Sequence, residues 1–135
     1  MEFKTFEFFK NQCFVGGQWL SNGQSVNVLN PASGEVLTQV PLFAEQETQQ
    51  AITAAANALP GWRALAANER AKYLKAWHQL LIKHSEQLAY LMSLEQGKPL
   101  AEALGEIKYA ASYVEWFAEE ARRIYGQTIP GHGRD

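Results

Sequence analysis

The groups in this sequence that could do chemistry are one thiol, three imidazoles and two closely spaced pairs of carboxylates. Cys13 is the only cysteine. A catalytic cysteine works as its thiolate and needs a neighbouring base or an electropositive site to form it. The nearest histidine is His78, and nothing in the sequence brings the two together, so Cys13 reads as a packing residue at a strand edge. His78 and His84 fall on different faces of a helix, not at the i, i+4 spacing of a helical zinc motif. His84 lies on an apolar stripe and reads as a core or interface histidine that donates one hydrogen bond. Glu102 and Glu106 stand about one helical turn apart, as do Glu115 and Glu119. Such pairs can serve acid–base work or a divalent cation. More commonly they form a solvated face, and Glu119 is expected to pair with Arg123 at i, i+4. Gly131-His132-Gly133 is an isolated G-x-G that follows no clear strand and opens no helix, so it fails the context of a dinucleotide fingerprint. On motif chemistry alone the sequence contains no active site.

The 135 residues suit one domain or one piece of a larger one. Hydrophobic residues make up 47% and charged residues 19%, which argues against disorder. Twelve Lys and Arg against fourteen Asp and Glu leave a net charge of -2, with no basic excess to attract nucleic acid or an anionic membrane. No apolar stretch is long enough to predict a membrane span. One cysteine excludes an internal disulfide framework. A soluble cytoplasmic protein is expected. Residues 1–10 mix Phe3, Phe6, Phe8 and Phe9 with Glu2, Lys4, Glu7 and Lys10, which suits an amphipathic lead-in packed on the domain better than a targeting signal.

Residues 13–43 predict three short antiparallel strands with turns. Cys13-Phe14-Val15 ends at Gly16-Gly17, and Ser25–Val28 alternates polar and apolar. Asn30–Gly34 turns, and Glu35–Leu42 forms the third strand. From Glu45 the period changes to 3.6. A first helix over Glu45–Leu59 carries Ile52, Ala55, Ala56 and Leu59 on one side; Pro60-Gly61 should stop it and leave Trp62 in a linker. A second starts at Asn68 without a capping box and carries Leu74, Trp77, Leu81, His84, Leu88 and Leu91, with a break expected at Ser85-Glu86. A third begins at Pro99 and runs to Tyr125 before Gly126. It carries Leu100, Leu104, Ile107, Ala111, Val114, Ala118, Ala121 and Tyr125 on one stripe and Tyr109, Tyr113 and Trp116 on another. It must therefore meet neighbours on two sides, more than so short a chain supplies.

Three blocks of residues resemble one family. Phe14–Trp19 with Val28–Glu35 resembles the opening β hairpins of the aldehyde dehydrogenase superfamily. Leu94–Ala103 followed by Gly105–Tyr109 resembles its inter-helix turn and next helix. Tyr113–Gly126 with Thr128–Gly131 is most similar to the succinate-semialdehyde dehydrogenase branch. The resemblance implies an α/β, Rossmann-like family fold, of which this chain covers the N-terminal antiparallel hairpins and three to four long helices. Residues 1–125 would be the N-terminal part of the NAD(P)-binding domain, with hairpins over 13–43 and helices over 45–125. Residues 126–135 would begin a segment that bridges subunits of a dimer or tetramer. The family oxidises an aldehyde to an acid through a cysteine thiolate and passes hydride to NAD or NADP. None of its catalytic or cofactor-binding groups maps onto residues 1–135, so the chain alone is expected to be inactive. The alternative is a truncated, non-catalytic homologue that binds full-length subunits.

Two weaker correspondences follow. Some members hold a monovalent cation through backbone oxygens and an acidic side chain at positions matching Val28, Leu29 and Glu95; Glu95 stands where Asp is commoner, and it could instead pair with Lys98. Tyr109 falls at a position lining the family's substrate tunnel, for an aldehyde such as succinate semialdehyde. It could equally pack, with Tyr113 and Trp116, on a sheet outside this chain.

Overall fold

The structure, a computed structural model, describes residues 2–133. Two separate two-stranded antiparallel sheets precede four helices. Strand β1 (Cys13–Val15) pairs with β2 (Gln18–Leu20), so Cys13 faces Leu20 and Val15 faces Gln18. The loop is only Gly16-Gly17, with φ of 58° and 84°. Two successive positive φ values are what a tight two-residue hairpin turn demands, and glycine alone adopts both freely. That turn folds Gln18–Leu20 back as a strand, so there are four strands where the sequence predicts three.

Strand β3 (Ser25–Leu29) pairs with β4 (Val36–Pro41). Leu29 opposes Val36 and Val28 opposes Thr38, which leaves Leu37 as a bulge. The bulge breaks the alternation expected of this strand: Leu37 and Thr38 are both half-buried, while Val36 is exposed.

Helix α1 spans Glu45–Ala64 and runs through Pro60 and Gly61, contrary to the expected stop. A proline so near the end of a helix removes one backbone bond. The last turn is tied down instead by Trp62, whose ring lies 5.8 Å from that of Tyr73. Trp62 is thus a helical residue and not part of a linker. The face of α1 turned inward carries Glu47, Ala51 and Ala54; the predicted stripe of Ile52, Ala55, Ala56 and Leu59 is exposed.

Helix α2 spans Ala67–Lys83, α3 spans Ser85–Gln96 and α4 spans Leu100–Glu120. The break expected at Ser85 is present, with His84 at the junction. Helix α2 begins one residue before the predicted cap: Ala66 is the N-cap, and its N–H donates to Glu69 Oε2 at 2.9 Å. Helix α1 starts the same way, with Ala44 N–H donating to Glu47 Oε2 at 3.0 Å. An alanine has no side-chain oxygen to reciprocate, so only the glutamate half of a capping box forms. Helix α4 ends at Glu120, short of Tyr125. Ile124 and Tyr125 are 71% and 80% exposed, so the last step of the stripe has nothing to cover it.

Helix α4 packs across α2 and α3. The wholly buried residues at the crossings are alanines: Ala71, Ala89, Ala103, Ala111 and Ala118, each at 0% exposure. Small side chains let the backbones approach closely. Phe3 and Phe6 of the N-terminal lead-in pack against this bundle; the Phe6 ring lies 6.4 Å from Tyr90, and Phe8 lies 5.2 Å from His84. The accessible surface is 10337 Å². A folded monomer of 15.1 kDa exposes roughly 7100 Å². Large apolar side chains stand exposed on both sheets, on α1, α2 and the outer face of α4, and in the C-terminal coil.

Candidate functional site

The outer face of α4 carries the densest set of unused side chains. Tyr109, Tyr113, Trp116 and Phe117 are each at least half exposed. With Ser112, Glu115, Glu119, Glu120 and Arg123 they line an open groove of about 590 Å³. Tyr109 and Tyr113 lie one turn apart, with rings edge to face at 5.0 Å and 87°. Their hydroxyl oxygens are 2.7 Å apart. The hydrogen bond to Tyr113 raises the Tyr109 phenol above its ordinary 10.0, so it is protonated at neutral pH. Ser112 donates to the carbonyl of Tyr109 at 2.7 Å.

The carboxylates beside the groove are mostly engaged. Glu119 pairs with Lys75 on α2 at 2.6 Å, not with Arg123. Arg123 pairs with Glu120 at 3.2 Å. The early end of α4 accounts for the change: residue 123 lies beyond the helix, where the i, i+4 geometry no longer holds. Lys75 lowers the Glu119 carboxyl by its hydrogen bond and then by its charge. Glu106 is bound by Lys98. Lys98 therefore holds Glu106 and not Glu95, the alternative partner weighed against a cation role for Glu95.

The predicted cation ligands come from two places. Val28 and Leu29 lie at the end of β3, and Glu95 is exposed in the last turn of α3. The two regions meet at Gly97, whose Cβ, if present, would lie 3.2 Å from Pro31 Cγ. Among the described residues, no three His, Cys, Asp or Glu side chains cluster to hold a metal ion.

Cys13 is half-buried on β1, and His78 is on α2 with its Nδ1 3.0 Å from the carbonyl oxygen of Ala111. A carbonyl only accepts, so that nitrogen carries the hydrogen. Periodicity alone places Trp77 on the inward stripe, yet Trp77 is 54% exposed and His78 is half-buried. The sequence carries the competing stripe as well: Ala71, Leu74, His78 and Leu81 also run at steps of three and four. His84 bonds Gln87 through Nδ1 at 2.8 Å, in keeping with a half-buried histidine that makes one hydrogen bond.

Gly131 and Gly133 lie in exposed coil and open no helix. No helix among the described residues is long and apolar enough to cross a membrane.

The model of the aldehyde dehydrogenase family matches residues 19–135. The chain is 56% identical to glutarate-semialdehyde dehydrogenase of Pseudomonas putida, over 100% of this chain and 28% of that protein. It is 54% identical to the NADP succinate-semialdehyde dehydrogenase of Escherichia coli, again over 100% and 28%. The crystal structure of succinate-semialdehyde dehydrogenase from Burkholderia pseudomallei superposes with a TM-score of 0.88 at 47% identity, covering 92% of this chain and 26% of that one. The chain belongs to the aldehyde dehydrogenase family. It spans 28% of the length of the curated relatives named here.

Proposed function

We propose that this chain is the N-terminal part of an NAD(P)-dependent enzyme that oxidises a semialdehyde with a distal carboxylate, such as succinate or glutarate semialdehyde. The observation that carries the reading is the identity of 56% and 54% to enzymes named for those substrates, over the whole of this chain. The excess accessible surface supports it, because an apolar face on α4 is what a helix bedded against further domain structure leaves when viewed alone.

In this reading residues 1–125 scaffold the cofactor domain of a cytoplasmic homo-oligomer, a dimer or tetramer. Residues 126–135 open the segment that bridges subunits. Nucleophile, base and cofactor contacts belong to the remainder of the enzyme. Tyr109 forms part of the wall of the aldehyde tunnel, in keeping with its exposure on α4. Val28 and Leu29 offer backbone oxygens, and Glu95 a carboxylate, to a monovalent cation, in keeping with the contact of Gly97 and Pro31 between them.

The test of activity is nicotinamide reduction by the full-length enzyme carrying this segment. Succinate semialdehyde and glutarate semialdehyde should be preferred to uncharged aldehydes of the same length; equal turnover of all of them would overturn the substrate class. The cation site is tested by melting that enzyme in Na+, K+ and a bulky organic cation. A higher Tm in one alkali cation is expected, and identical melting in all three removes the site.

A further inference from the structure

The turn between β2 and β3 is built on Asn22 and Gly23. Asn22 Oδ1 accepts the N–H of Gln24 at 3.2 Å, and Gly23 turns with φ of 81°. An asparagine bonded to its own backbone two residues on, and a glycine at positive φ, are what such a turn requires. The Asn22 amide also reaches beyond the turn. Its Nδ2 donates to the carbonyl of Leu42 at 2.8 Å and to Glu47 Oε1 at 3.2 Å. The other oxygen of Glu47 holds the Ala44 N–H at the start of α1. One primary amide therefore joins the turn, the exit of β4 and the first turn of α1.

The same two residues are arranged for a reaction. Attack by the Gly23 nitrogen on Asn22 Cγ closes a five-membered ring. Gly23 has no side chain to obstruct the approach, and the space around it is open. Both residues are exposed, and among the described residues no hydrogen bond engages the Gly23 N–H. The Gln24 N–H draws charge from Cγ through Oδ1 and stabilises the oxyanion formed on attack. Asn22 is the only asparagine of the sequence that a glycine follows.

We propose that Asn22-Gly23 is a site of spontaneous deamidation, and that the product unties the β2–β3 turn from α1. The Gly23 nitrogen bonds to Asn22 Cγ and gives up its hydrogen. The Cγ–Nδ2 bond breaks, and ammonia leaves with that hydrogen. Water then opens the succinimide. Addition at Cγ gives aspartate; addition at the main-chain carbonyl gives isoaspartate, whose backbone runs through Cγ. No oxidant or reductant takes part. Both products lose the amide donors. Aspartate sets a carboxylate against the Leu42 carbonyl and the Glu47 carboxylate, neither of which can donate to it. Isoaspartate adds one carbon to the main chain of the turn. The Glu47 carboxyl, held low by the Ala44 N–H and also by the Asn22 amide, moves up toward its ordinary range. Repelled by the new charge, Glu47 turns away and releases the Ala44 N–H.

The experiment ages the intact protein at mildly alkaline pH and follows each asparagine by peptide mass spectrometry. Asn22 should convert to a mixture of aspartate and isoaspartate well ahead of Asn11, Asn27, Asn30, Asn57 and Asn68. No conversion, conversion at the pace of the other five, or aspartate alone, which marks direct hydrolysis, would overturn the ring closure. Gly23→Ala should remove the preference for position 22. Because alanine is strained at φ 81°, Asn22→Gln provides a second block that leaves the glycine in place. Amide hydrogen exchange reads the untying. In the aged protein, and in Asn22→Asp before ageing, the Ala44 and Thr48 amides should exchange about two- to tenfold faster, the worth of one hydrogen bond. Amides in the middle of α4 should not change, and aged Asn22→Gln should exchange as it did when fresh. Conversion at Asn22 without faster exchange at Ala44 would overturn the untying.

Discussion

His78 Nδ1 and the carbonyl oxygen of Ala111 lie 3.0 Å apart and join the middle of α2 to the middle of α4. Ala111 is wholly buried, so the bond is made inside the packed face of α4. It crosses 33 positions of sequence, so it fixes the register of the helix that carries Tyr109 and Tyr113.

His78→Ala should lower the stability of the protein by about 1–2 kcal/mol, the cost of a half-buried hydrogen bond and its packing. Urea unfolding measures it. Ala111→Leu should cost more, about 2–3 kcal/mol, because a larger side chain forces the helices apart. If Ala111→Leu proves the milder change, the close crossing is not where the structure places it.

Gly97 ends α3 at φ 70°, against Pro31. Any L-residue there is strained by about 1–2 kcal/mol. A Cβ would also press on the proline ring. Gly97→Ala should therefore lower Tm, and Gly97→Asn, which tolerates the left-handed region better, should lower it less. Equal losses would mean that the contact, and not the backbone, sets the cost.

Glu47 and Glu119 hold their carboxyls below the ordinary 4.5. For Glu47 the Ala44 N–H is the main cause; for Glu119 it is Lys75. A lowered carboxylate pKa contributes stability that is complete above the unfolded value and is lost as pH falls through the folded one. Urea midpoints should therefore drop as pH is lowered below 4.5. The double variant Glu47→Gln, Glu119→Gln should be less stable at neutral pH and lose less on acidification. A variant with the same pH slope as the parent would assign the effect to other carboxylates.

The 135-residue chain prepared by itself should self-associate, because Tyr109, Tyr113, Trp116 and Phe117 on α4 and Ile52 and Leu59 on α1 stand exposed. Sedimentation velocity checks it. A monodisperse monomer at micromolar concentration would contradict the reading of these faces as covered in the proposed longer protein.

The sequence by itself determined the family, the order of elements and most of their boundaries. The reason is that these rest on local signals: Gly-Gly at the hairpin, the switch of period at Glu45, Pro99 before α4, and the two stripes on that helix. Tertiary structure decided what depends on distant neighbours. It placed His78 inside and Trp77 outside, although both fit the period, because only the backbone of α4 offers a partner to the imidazole. It gave Glu119 to Lys75, since a lysine on the facing helix lies within reach and Arg123 lies past the helix end. It carried α1 through Pro60, where Trp62 found Tyr73. It brought the hydroxyls of Tyr109 and Tyr113 together, which a spacing of four permits but does not require. Periodicity states which residues share a face; only the packed chain states what that face meets.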